Sequence, residues 1–98
     1  MSRYSIEGPW ELAETLVLND GYAGESYVLG KVETATLVDG TGGYRYEQGA
    51  YRVTSKVPGI RTKTFRGESA WSNAARYADD VYEAARRELL AKGELVLR

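Results

Sequence analysis

The stretch SAWSNAARYADDVYEAARRELLAKG, residues 69–93, decides the fold. Trp71, Ala74, Ala78, Val81, Tyr82, Ala85 and Leu89 recur at spacings of three and four, which lines one face of an α-helix. The opposite face carries Arg76, Asp80, Glu83 and Arg87. Arg76–Asp80 and Glu83–Arg87 are i,i+4 pairs, each worth about 0.2–0.5 kcal/mol. Ser69 is placed to offer its hydroxyl to the free N–H groups of the first turn. Lys92 followed by Gly93 puts a cation at the negative end of the helix and a left-handed residue just past it. The spacing therefore predicts a helix over 70–92. Its stripe includes three alanines, Ala74, Ala78 and Ala85, so the helix can lie close to a sheet, with Trp71, Tyr82 and Leu89 as anchors. Trp71, in the first turn, is expected to pin the helix to that sheet, and Tyr77 falls at the margin of the stripe.

Upstream of the helix, turn signals divide the chain into strand-length pieces: Gly8-Pro9, Asn19-Asp20-Gly21, Asp39-Gly40-Thr41-Gly42-Gly43 and Pro58-Gly59. Trp10–Leu18 carries Trp10, Leu12, Leu16 and Leu18 at even positions, as a strand with one inward face would, although Glu14 interrupts that face. Pro9 also suits a helix start, so both readings of 10–18 stay open. Ser26–Leu37, rich in Val, Thr and Tyr, reads as a long strand, and Tyr44–Ser55 as another. Gly49 inside the latter suggests a bulge. Ile60–Phe65 reads as a short strand. Leu95, Val96 and Leu97, in the tail 94–98, suit either an added edge strand or packing beside the helix. The expected architecture is a single α+β domain over 1–98: an antiparallel meander of about four strands with one long C-terminal helix on one face and the other face open.

Composition narrows the chemistry. The 98 residues include no His and no Cys. Disulfides, thiolate nucleophiles, imidazole bases and the usual transition-metal ligands are thereby excluded. Asp79 and Asp80 are adjacent on the helix and point about 100° apart. Glu11 and Glu14 are expected on opposite faces of a strand. Neither pair suits an acid–base mechanism across a cleft. The glycine-rich stretch 40–43 lacks the Gly-Lys-Ser/Thr ending of a phosphate loop and opens no helix. Asn19, Asp20 and Asp39 are too few for a calcium loop, and Ser55-Lys56 is a weak basis for a Ser–Lys nucleophile. The expectation is a non-enzyme with no metal and no cofactor. The N-terminus has no basic segment followed by an apolar run, and apolar runs stay far below the roughly 20 residues that span a bilayer. A cytoplasmic protein without a membrane span is the default.

The net charge of −1 conceals an uneven distribution: residues 1–50 sum to −5 and residues 51–98 to +4. From Arg45 to Arg66 six bases face Glu47 alone, interleaved with tyrosines. Tyr and Arg are enriched at the energetic centres of protein interfaces, and aromatics in a basic groove stack single-stranded nucleic acid. Ordinary strand composition with basic residues on a solvated face is the bland alternative. Tyr44, Tyr46, Arg52, Arg61 and Arg66 are the candidate partner-binding residues. The sequence pI of about 5.5 weighs against nucleic acid. Trp10 and Trp71 are each read as core residues, with exposure at an edge as the alternative for Trp10, which follows Gly8-Pro9.

One resemblance concerns layout. Strands punctuated by short polar turns lead into TFRGESAWSNAARYADD, residues 64–80, and then a single long helix. That order resembles small phage or mobile-element accessory and inhibitor proteins, anti-CRISPR proteins among them. The resemblance implies a non-catalytic protein that covers a functional surface of a host protein or protein complex; it assigns no residue. A monomer or homodimer is the expected state. Nucleic-acid binding by 44–66 and a structural homo-oligomeric role are the alternatives.

Overall fold

A computed structural model describes residues 4–20 and 24–97. Four strands, β1 (Tyr4–Asp20), β2 (Glu25–Asp39), β3 (Arg45–Ser55) and β4 (Lys63–Arg66), precede one helix, α1 (Ala70–Lys92). The strands form one antiparallel sheet in the order β1-β2-β3-β4, and α1 packs on one face of it. The expected α+β meander with a single C-terminal helix is what the chain adopts. Residues 10–18 belong to a strand, and β4 starts at Lys63 rather than Ile60. Gly21 of the expected 19–21 turn and Arg98 of the tail lie outside the described residues.

The helix buries Ala70, Ala74, Ala78, Val81 and Ala85, spaced so that one narrow stripe of small side chains meets the sheet. Opposite them lie Leu16, Leu29, Val32, Tyr51, Val53 and Val57, and Leu95 closes the core from the tail. The tail thus packs beside the helix and adds no strand. Gly93 ends α1 in the left-handed conformation at φ 71°, its N–H donating to the Leu89 carbonyl at 2.8 Å. Glu83–Arg87 closes at 3.6 Å, and Glu88–Lys92 at 3.0 Å.

Two details at the helix start differ from expectation. Ser69 occupies the N-cap position, but its side chain makes no capping hydrogen bond; its carbonyl accepts the Asn73 N–H instead. Trp71 is 51% exposed. It leans on Tyr51 at the helix rim, ring centroids 5.2 Å apart, while the neighbouring Ala70 takes the buried position.

Bulges decide which side chains face the helix. Leu12 pairs with Glu33 but Glu14 pairs with Val32, so Ala13 is an extra residue on β1. A one-residue insertion reverses the alternation of every side chain beyond it. Leu16 and Leu18 therefore face α1, whereas Trp10 and Leu12 face away, and Leu12 is 63% exposed. The same bulge puts Glu11, opposite Thr34, and Glu14, opposite Val32, on one face rather than two. In β3, Tyr46 pairs with Leu37 and Ala50 with Ala35, so residues 47–49 oppose Thr36 alone. Gly49 sits in that bulge because a Cβ there would lie 2.8 Å from the Cβ of Leu37.

The molecule measures 53 × 23 × 20 Å. At about 3.3 Å per residue β1 spans some 55 Å, while α1, at about 1.5 Å per residue, covers roughly 35 Å. The helix lies over the end of the sheet that holds Leu16, Leu18 and Tyr27. Residues 4–9, 36–39 and 45–48 form a three-stranded arm outside the core beneath it.

Candidate functional site

The sheet face turned away from α1 is built in rows set by strand register. Ile6, Leu37 and Tyr46 form one row; Ala35, Ala50 and Arg66 the next; Leu12, Glu33, Arg52 and Thr64 the third; Thr15, Lys31 and Thr54 the fourth. Paired residues of an antiparallel sheet project to the same side, and successive rows lie about 7 Å apart. Ala35 and Ala50 are buried low on this face, whereas Tyr46 is 46% exposed.

Glu33 organises the third row. It is 8% exposed, and one carboxylate oxygen accepts hydrogen bonds from Nε of Arg52 at 3.2 Å and from an Nη at 2.9 Å. Lys31 approaches its other oxygen at 3.7 Å. The Arg52 guanidinium in turn lies over the Trp10 ring, 4.5 Å from its centroid, an arrangement worth about 0.5–1 kcal/mol at an exposed site. Trp10, Arg52 and Glu33 thus form one chain of contacts, and the face offers a partly charged aromatic surface.

Of the five residues expected from sequence, the structure gathers Tyr46, Arg52 and Arg66 on this face. Tyr44 is exposed in the connection before β3, against Gly42. Arg61 lies between β3 and β4 on the helix side, its carbonyl accepting the Tyr77 hydroxyl at 2.6 Å. Lys63 also faces that side, 5.5 Å from the ring centroids of Phe65 and Tyr77. Trp10, Lys31 and Glu33 are members of the face that the sequence reading did not select. Glu33 had a visible signal: a lone carboxylate inside a strand of Val, Thr and Leu needs a cation beside it.

The outward face carries Lys31, Arg52 and Arg66 around Glu33. On the helix side of β1, Glu7, Glu11 and Glu14 follow one another, with Glu7 ion-paired to Arg45. A recess of about 310 Å³ opens beside the outward rows, lined by Tyr4, Leu37, Tyr46, Gln48, Gly49, Gly67 and Glu68. The glycine-rich stretch 40–43 is a tight turn, with Thr41 donating to Asp39 Oδ1 from both its N–H and its hydroxyl at 2.8 Å. Among the described residues no three His, Cys, Asp or Glu gather as a metal site would need, and no helix is long and apolar enough to cross a membrane. Comparison with protein-family models, with curated proteins and with solved structures gave no match.

Proposed function

We propose that this chain is a non-catalytic protein-binding module, of the inhibitor or accessory kind that its layout suggests, and that it covers a partner's surface with the sheet face opposite α1. The observation that carries this reading is the Trp10–Arg52–Glu33 assembly beside the exposed Tyr46. Trp, Tyr and Arg supply most of the binding energy in protein interfaces. Side chains that already contact one another lose less conformational freedom when a partner arrives than isolated ones would. The test compares proteins retained from a lysate by the wild type, by Trp10→Ala/Tyr46→Ala, and by the helix-surface control Arg87→Ala, with circular dichroism verifying the fold of each. Proteins held by the wild type and the control should be lost by the double variant. Identical sets from all three would refute this reading.

Single-stranded nucleic acid is the second reading, favoured by the same aromatics lying among Lys31, Arg52 and Arg66. It requires affinity for an oligothymidine that falls steeply with salt. Absence of binding at low salt removes it.

A further inference from the structure

We infer that the partner presents an acidic segment carrying one apolar side chain, with carboxylates over Arg66 and Lys31 and the apolar group in the recess beside Tyr46. This rests on the protein-binding reading of the same face and specifies what it recognises.

Three cations, Lys31, Arg52 and Arg66, share the central rows with one carboxylate, Glu33. Glu33 is already spent on Arg52 and, at longer range, on Lys31. Its own burial leaves it little contact with anything arriving from outside. Arg66 pairs with no carboxylate among the described residues, and the Lys31 side chain remains 50% exposed. Arg66 is therefore uncompensated, and Lys31 only partly compensated, on a face whose centre is otherwise Ala, Thr and aromatic. An arriving carboxylate would form charge-assisted hydrogen bonds there, and a guanidinium presents donors paired for that purpose.

The second element is the recess. Leu37 and Tyr46 lie one row from Ala35, Ala50 and Arg66, so a group seated beside Tyr46 stands about 7 Å along the strands from the Arg66 row. That is the spacing of residues i and i+2 in an extended peptide. Glu68 on the rim repels a carboxylate from the recess itself, which leaves the apolar residue to enter it and directs the acidic ones toward Arg66 and Lys31. The polarity order on the partner follows: apolar at the arm, acidic toward the middle of the sheet.

The experiment is a titration of the full chain, isotopically labelled, with the peptide Leu-Glu-Glu-Glu-Glu-Glu-Glu, whose extended length of about 20 Å runs from the Tyr46 row to the Lys31 row, followed by backbone amide NMR. The controls are Leu-Gln-Gln-Gln-Gln-Gln-Gln and an oligothymidine of about 20 nucleotides. Shifts at Lys31, Arg52, Tyr46 and Arg66 with the Glu peptide, weakened about tenfold in Arg66→Glu and by raised salt, support the inference. Lys31→Gln, which introduces no new charge beside Glu33, gives a second variant independent of Arg66. Equal response to the Gln peptide, or none to either, overturns it; if Trp10→Ala/Tyr46→Ala still loses its captured proteins, the protein-binding reading survives that failure. Response to oligothymidine alone overturns both. Light scattering that finds a dimer abolished by Arg66→Glu also overturns the inference, since the occupant is then a second copy.

Discussion

A Cβ placed on Gly30 would lie 1.9 Å from the carbonyl oxygen of Thr54 and 3.0 Å from Cα of Ser55. The obstacle is backbone of the neighbouring strand, which no rotamer change can move. Gly30→Ala should therefore lower stability by about 2–3 kcal/mol, read as a fall in the urea midpoint, with β2 and β3 forced apart at their pairing. Glu33 presents the opposite case, a side chain whose removal does the damage. Glu33→Ala leaves Arg52 and Lys31 crowded without their shared anion. Because both cations retain solvent contact, a loss of about 1–2 kcal/mol is expected, less than for a fully buried pair. The same variant should free the Arg52 guanidinium from Trp10, visible as a change in tryptophan fluorescence. A retained spectrum would show that the stack stands without Glu33.

At the scale of elements, α1 owes its close approach to alanine. Ala74 is wholly buried, and Ala74→Leu should cost about 1–3 kcal/mol by lifting the helix from β3. Leu90→Ser, at a position 86% exposed, should change stability by less than about 0.5 kcal/mol. Thermal unfolding of the two variants checks the helix orientation directly. The helix was legible in the sequence from its period, its final Lys-Gly and its length, because those signals are local. So were the strand order and the turn at 39–43. The face of Trp10 was not. Trp10, Leu12, Leu16 and Leu18 share one parity, and Glu14, which interrupts it beside Ala13, does not by itself distinguish an insertion from an exposed charge. Only pairing with β2, which fits Leu12 to Glu33 and Glu14 to Val32, reveals the change of phase. For the same reason Arg52 was visible as a candidate while its stacking partner was not. Gly49 was the exception, since a glycine inside a strand does mark a bulge. Trp71 failed as an anchor because Ala70, one position earlier, fits the close approach that a large ring would prevent.

The whole molecule is longer than a chain of this size needs to be. Its Cα radius of gyration is 15.7 Å, against about 13 Å for a compact domain of about 100 residues. Small-angle scattering of the monomer should return a radius at or above the larger value; one near 13 Å would mean that the arm folds back. Hydrogen exchange should separate the two regions, with amides of 36–39 and 45–48 exchanging ahead of those at 29–32 and 51–53, since the arm lacks the cover of α1. A last consequence comes from a single bond, the N–H of Val17 donating to the hydroxyl of Tyr82 at 3.2 Å. β1 is an outer strand, and this bond closes part of its free border with a residue of the helix. During synthesis the helix leaves the ribosome about fifty residues after β1. The long hairpin of β1 and β2 must wait, its border unsealed and its apolar side bare, until the helix arrives. Tyr82→Phe, which removes that bond from the finished protein, should raise association through β1, read as an increase in light scattering on mild heating relative to the wild type.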